Sequence, residues 1–179
     1  MSNIKEKYQN LRPLIKDGDL VLFRGTRLLA KIIQNCDKAY FNHIGIVIQA
    51  HGALFIVDSQ SEGVVADRLS KRISDYPGGD FCIIQSVNEV SDEALDNLLA
   101  RQDKEDILYD YGNGFKELLN RKFGWNLKIK PIDKRDICSD FVYEYALRHK
   151  IILPFPNRVA FPMDYVRHRN KDTTVIYGY

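Results

Sequence analysis

Two segments of the chain carry side chains that together could form a nucleophile and its base. Cys138 opens an amphipathic segment after the charged residues 134–136, and His43 precedes the apolar run 44–48. A thiolate is the reactive form of cysteine, and both a helix start and a nearby imidazole favour it. The combination predicts a cysteine hydrolase or acyltransferase in which His43 takes the proton of the Cys138 thiol.

A catalytic histidine also needs a partner that orients its second ring nitrogen. Asp58 follows the apolar run 54–57, and a tight turn near Gly52 would pair this run with the strand that begins after His43. His43 and Asp58 would then lie near the same end of a sheet. Gly45 would let another element approach that strand closely, because it has no side chain. The alternative for Asp58 is a turn residue with no part in chemistry.

Each candidate also has a purely structural explanation. Cys138 can be the first buried residue of a helix, because free cysteines are usually buried. His43 can be a hydrogen-bonded structural histidine. Cys36 lies on a helical stripe and Cys82 lies in a buried strand, so packing is the simplest role for both. The catalytic interpretation therefore depends on the whole set of residues and on no single one.

The elements that must position these residues follow from the hydrophobic pattern. Compact apolar or β-branched runs predict strands at residues 20–23, 44–49, 54–57, 64–65, 81–84 and 173–179. Helical spacing predicts helices at residues 27–35, from Ser91, between Asn113 and Gly124, and from Ser139. This order of elements predicts an α+β fold. At 179 residues, we expect a single domain over residues 1–179.

The first of these helices carries an apolar stripe. The apolar positions Leu28, Leu29, Ile32, Ile33 and Cys36 recur at helical spacing, and Thr26 can cap the helix. We therefore expect this face to pack against the rest of the protein.

Composition sets limits on the environment and partners of the chain. Apolar residues are 45% and charged residues 28%, and the net charge of +2 favours no nucleic-acid partner. No run approaches the ~18 apolar residues of a membrane span, and residues 1–10 lack the apolar core of a signal peptide. Three widely spaced cysteines, without zinc-type spacing, argue against a disulfide framework and favour a cytoplasmic location.

A local basic segment departs from this balance. Residues 121–135 contain six Lys or Arg against one Asp, with Trp125 among them. A solvated surface segment is one explanation. A patch for an anionic lipid or an acidic substrate is the other.

Taken together, these segments resemble the circularly permuted NlpC-like cysteine hydrolases, the YiiX-like branch of the papain-like fold. Lecithin:retinol acyltransferase-like proteins are more distant permuted relatives. The resemblance covers residues 16–166 and rests on segments 17–25, 42–47, 57–58, 108–112, 138–142 and 162–164.

The resemblance implies a papain-like core, in which a mixed or antiparallel sheet packs against the helix bearing Cys138. It implies Cys138 as nucleophile, His43 as base, Asp58 as third polar residue, and Tyr109 near the oxyanion; a core tyrosine is the alternative for Tyr109. A peptide, isopeptide, lipid amide or ester would be cleaved through an acyl-enzyme, with no metal or organic cofactor. Two alternatives stay open: an acyltransferase or lipid-directed thioesterase on the same triad, and a non-catalytic binding module that retains the pocket.

Overall fold

The described part of the chain is built around a six-stranded antiparallel sheet. The computed structural model describes residues 4–60, 63–75, 79–86, 108–109, 116, 119–128, 135–136, 138–148, 153, 161–167 and 174–176. The strands in chain order are β1 (Leu20–Arg24), β2 (His43–Ala50), β3 (Ala53–Gln60), β4 (Gly63–Arg68), β5 (Asp80–Ile84), β6 (Leu108–Tyr109), β7 (Arg135–Asp136) and β8 (Val175–Ile176). The sheet has the order β4-β3-β2-β1-β5-β8, and β6 and β7 form a separate parallel pair.

Helices precede, interrupt and follow the strands. They are α1 (Ile4–Leu11), α2 (Leu28–Asp37), α3 (Leu69–Ser74), α4 (Cys138–Arg148) and α5 (Asp164–Arg167), with a 3-10 turn at Arg12–Leu14 after α1. Residues 119–123 are also helical. The predicted α+β class and the antiparallel sheet packed against helices are confirmed. The helix predicted from Ser91 lies outside the described residues. Among the described helices, none is both long and apolar enough to cross a bilayer.

The two faces of the sheet pack against different helices, because successive side chains of a strand point to opposite faces. On one face, Ile44, Ile46 and Ile48 of β2 share a buried cluster with residues of α4 and α5. On the other face, Val47 of β2 shares a cluster with residues of α1 and α3. The sheet is thus the middle layer. Alternate residues of a strand pack against different helices, α4 and α5 on one face and α1 and α3 on the other.

Helix α2 differs from the prediction in its cap and in the face it buries. It begins at Leu28 with Arg27 as N-cap and with no side-chain capping bond, so the predicted Thr26 cap is wrong. Leu28 is 77% exposed and Ile32 is 39% exposed, while Ala30 is buried. Helical spacing shows that residues share a face, but it does not show that this face meets the interior.

The hairpin of β2 and β3 has the predicted tight turn. His51 and Gly52 both have positive φ values, of 50° and 72°. Beyond the turn, Ile46 lies opposite Val57. This register brings the first residues of β2 beside the last residues of β3, which is the arrangement the candidate site requires.

Asp19 ties the start of β1 to the end of β5. Its buried carboxylate accepts hydrogen bonds from the Lys16 amide at 2.8 Å and the Ser86 amide at 2.9 Å. Burial raises the pKa of Asp19 from 3.8 to about 6, and it outweighs these two bonds, which lower the pKa. The folded protein therefore holds a proton that the unfolded chain releases at lower pH.

We expect the stability contribution of Asp19 to be full below about pH 4 and lost as the pH rises through about 6. Asp19→Asn removes this titration. The unfolding free energy of the wild type minus that of the variant should fall by up to about 3 kcal/mol between acidic and mildly alkaline pH. Urea unfolding of both proteins across this range measures the difference. A difference that does not change with pH would contradict the prediction.

Candidate active site

The structure brings His43 and Asp58 together at one end of the sheet. Nε2 of His43 lies 2.6 Å from Oδ2 of Asp58. The Asp58 side chain is fully buried, and the His43 side chain is 12% exposed. A buried carboxylate against one ring nitrogen orients the imidazole and stabilises its protonated form.

Gly45 makes this contact possible. It lies opposite Asp58 on the strand pair, because Ile46 lies opposite Val57. A Cβ atom at Gly45 would stand 2.7 Å from Cδ1 of Ile56 and 2.9 Å from Cβ of Asp58. Real Cβ atoms do not tolerate such distances, so any other residue would have to displace one of these side chains.

Two further side chains bind Asp58, and the sequence analysis missed both. Nη2 of Arg72 on α3 donates to Oδ1 of Asp58 at 3.3 Å and to Oδ2 of Asp67 at 3.0 Å. Nε2 of Gln60 donates to Oδ2 of Asp58 at 2.8 Å. Strand alternation puts Gln60 on the same face as Asp58, so Gln60 could have been found from the sequence. Arg72 could not, because its contact depends on how α3 packs.

The backbone before His43 is held by its own contacts. The side-chain oxygen of Asn42 accepts hydrogen bonds from the Gly25 amide at 2.7 Å and from Nε2 of Gln34 at 2.9 Å. The Asn42 amide donates to the carbonyl of Phe23 at 3.0 Å. These bonds connect α2 and β1 to the start of β2, so they fix the position of the backbone next to His43.

Cys138 is the first residue of α4 and is 4% exposed. It packs in the buried cluster that contains Ile44 and Ile46. The predicted burial of Phe141 and Val142 by the same helix is confirmed. The amides at a helix start have no partner within the helix, so they favour a negative charge there.

Two buried hydroxyl groups lie close to Cys138: that of Ser139, the next residue in the sequence, and that of Tyr165, which belongs to the same buried cluster. Ser139 Oγ and Tyr165 OH have no hydrogen-bond partner among the described residues. Burial raises the pKa of the Tyr165 phenol above its usual range, and Cys138 and Asp140 raise it further. Tyr165 is therefore a neutral donor within electrostatic range of the thiol, and the sequence analysis did not single it out.

Tyr109 approaches Cys138 through its backbone. It pairs with Asp136 in the parallel pair of β6 and β7, two residues before Cys138. The side chain of Tyr109 lies outside what the structure describes. The predicted role of Tyr109 at the oxyanion stays a prediction.

Strand alternation assigns the thiol and the imidazole to different layers. His43 has the parity of Val47, and its ring centroid lies 6.3 Å from that of Phe23, in the cluster with α1 and α3. Cys138 packs with Ile44 on the other face. His43 is the first residue of β2 and Cys138 is the first residue of α4. A contact between the His43 imidazole and the Cys138 thiol must therefore form at the end of β2, and not on one face of the sheet.

Comparison with known proteins gives a relationship at the level of structure. No family model matches the chain, and no curated protein matches it. The crystal structure of metalloprotein yiiX from Escherichia coli O157:H7 aligns with a TM-score of 0.56 at 12% sequence identity. The alignment covers 92% of this chain and 97% of that one. The chain therefore shares the yiiX-like fold, and at this identity the likeness shows the fold alone.

The word metalloprotein concerns yiiX itself. Among the described residues of this chain, no group of three or more His, Cys, Asp or Glu side chains is arranged to hold a metal ion. His43 and Asp58 contact each other at 2.6 Å, but these two side chains are one fewer than such a cluster needs.

Proposed function

We propose that this chain is a cysteine hydrolase of the permuted NlpC-like type, which cleaves an amide or ester through Cys138, His43 and Asp58. The observation that carries the proposal is the 2.6 Å contact between His43 Nε2 and the buried carboxylate of Asp58. The yiiX-like fold supports it, because the sequence segments around these residues resemble the same branch. A peptide, an isopeptide or a lipid amide fits this chemistry.

The proposed reaction uses both ring nitrogens of His43. Because Asp58 contacts Nε2, Nδ1 takes the proton of the Cys138 thiol. The thiolate attacks the carbonyl carbon, and the resulting oxyanion accepts hydrogen bonds from the Cys138 amide and from Tyr109 or Tyr165. Nδ1 then gives its proton to the departing amine or alcohol, and a thioester remains. Water, deprotonated by His43, hydrolyses the thioester and regenerates the thiol.

Alkylation by iodoacetamide tests the proposal without a known substrate. We expect Cys138 to react faster near neutral pH than an ordinary thiol, because His43 takes its proton in the proposed mechanism. His43→Ala should slow alkylation of Cys138 by about tenfold, because the variant lacks the base that takes the proton of the thiol. Mass spectrometry of the adduct at each cysteine, over a series of pH values, measures the rates.

Cys36 is an internal control for this experiment. It is a half-buried free thiol on α2, outside the cluster that contains Cys138. Its rate should not change in the His43→Ala variant. An unlabelled Cys138, or a Cys138 rate that is independent of His43, would refute the assignment of nucleophile and base.

A non-catalytic binding module is the second candidate function. It is favoured by the burial of Cys138 and by the placement of His43 and Cys138 in different layers. In such a module, His43, Asp58 and Arg72 form a structural network that stabilises the hairpin. The same alkylation series distinguishes the two functions, because a structural network predicts an ordinary thiol at Cys138.

We further propose that residues 1–179 form a single domain that acts in a reducing compartment such as the cytoplasm. The single domain is based on the length of 179 residues. The reducing compartment is based on the three cysteines, which are all free. An acyltransferase on the same residues would replace water by an alcohol or amine acceptor, and a thioesterase would keep water but cleave a thioester.

A further inference from the structure

Helix α2 exposes part of its apolar stripe to solvent. Leu28 and Ile32 are one helical turn apart and are 77% and 39% exposed. Cys36 continues the same face by one more turn and is half-buried. The stripe therefore runs from the solvent-exposed start of α2 towards its end.

The stripe ends beside a second exposed apolar element. Nζ of Lys122 lies 3.9 Å from Sγ of Cys36, and Arg121 pairs with Asp37 at 3.3 Å. Residue 123 follows directly, and Phe123 is 54% exposed. The contact of Lys122 with Cys36 thus joins the end of the α2 stripe to the segment that begins at Phe123, and the two together are called here the apolar–basic surface.

The loop after residue 122 is built to hold two aromatic rings in solvent. The side chain of Asn120 accepts from the Leu127 amide at 2.8 Å and donates to the Leu127 carbonyl at 3.0 Å, which closes the loop. Gly124 turns the chain with a φ of 67°. Phe123 and Trp125 pack ring against ring with centroids 5.3 Å apart, and Trp125 is 53% exposed. These aromatic groups are held in place before any partner binds.

Basic residues surround the apolar groups. Nζ of Lys122 lies over the ring of Phe123, 5.6 Å from its centroid. Arg27, Lys31 and Lys128 are exposed. The acidic Asp37 nearby is paired with arginine side chains. The apolar–basic surface therefore combines exposed aliphatic and aromatic side chains with positively charged ones.

We propose that the apolar–basic surface docks the protein on an anionic lipid bilayer. Aromatic rings favour the membrane interface, aliphatic side chains enter its acyl boundary, and Lys and Arg attract anionic headgroups. Single-stranded nucleic acid also binds aromatic rings among basic residues. Nucleic acid would not use the exposed aliphatic side chains of Leu28 and Ile32, whereas a bilayer would, so the bilayer is the favoured partner.

Trp125 is the single tryptophan of the chain, so its fluorescence reports directly on this surface. Phosphatidylcholine vesicles that contain phosphatidylserine should shift the emission to the blue and protect it from acrylamide quenching. Vesicles of phosphatidylcholine alone should give a much weaker effect. In co-sedimentation with the anionic vesicles, F123A/W125A and, separately, K122E/K128E should each weaken binding by on the order of tenfold or more.

Leu14→Ala is the matched control. Leu14 is 49% exposed, and its neighbours Leu11 and Ile15 pack on the sheet face that holds α1. This variant should bind vesicles as the wild type does, and circular dichroism should show every variant folded. The proposal is overturned if neither vesicle shifts the emission, or if neutral and anionic vesicles bind equally. A shift caused only by single-stranded RNA, or only by raising the protein concentration, overturns it as well.

Discussion

Asp58→Ala should destabilise the protein by about 3 kcal/mol, because it removes the centre of a buried charge network. Asp58 is fully buried and contacts His43, Arg72 and Gln60. Without it, the buried guanidinium of Arg72 keeps one carboxylate, that of Asp67 at 3.0 Å. This remaining pair places the expected loss at the lower end of the range for breaking a buried ion pair.

Urea unfolding measures this loss, and Asp67→Ala is the matched control. Asp67 contacts the same guanidinium but is 29% exposed, so its removal should cost about 1 kcal/mol or less. A double-mutant cycle with Arg72→Met should show coupling between Asp58 and Arg72. Equal losses for the two alanine variants would mean that Asp58 is not the centre of the network.

The sequence predicted the hairpin that carries the network because its signals are local. The β-branched run after His43, the turn at Gly52 and the apolar run before Asp58 each act within a few residues. The register then follows from the turn, and it places His43 and Asp58 within 2.6 Å of each other. A chain with two clear strands and a short turn has few other ways to pair.

The parts that the sequence did not predict depend on contacts between distant segments. Arg72 reaches Asp58 because α3 packs on the sheet face that holds Ile56 and Val47. The pairing of Tyr109 with Asp136 joins two strands of two residues each, which are too short to show any periodicity. The layer that Cys138 occupies is likewise set by the packing of α4, not by the residues around the cysteine.

Helix α2 also shows that the sequence pattern alone does not tell which segments meet in the fold. Its apolar spacing is real, but Leu28 and Ile32 face solvent. A pattern of period 3.6 defines an apolar face without naming what covers it. Inward packing is therefore contradicted at Leu28 and Ile32, while Ile33 and Cys36 are half-buried. The exposed part of the stripe is what the proposed bilayer contact uses.

Gly45→Ala should destabilise the protein by about 2 kcal/mol, although alanine is normally preferred to glycine inside a strand by about 0.5–1 kcal/mol. The new Cβ would stand 2.7 and 2.8 Å from Cδ1 and Cγ1 of Ile56, and 2.9 Å from Cβ of Asp58. Cδ1 is the end of the Ile56 side chain, but Cγ1 of Ile56 and Cβ of Asp58 lie near the backbone, and both residues are fully buried. Relief of the clash must therefore move Ile56 or Asp58, and a shift of Asp58 also disturbs its contact with His43.

Two measurements separate this mechanism from a general loss of stability. Ile56→Val removes the atom at 2.7 Å, so combining it with Gly45→Ala should cost less than the sum of the two single losses. Gly52→Ala is the control, since no atom lies within 4 Å of its Cβ position and its cost comes from a φ of 72°. If His43 activates Cys138, only Gly45→Ala should slow alkylation of Cys138. Strict additivity with Ile56→Val would show that a clash of the new Cβ with Cδ1 of Ile56 is not a cause of the lost stability.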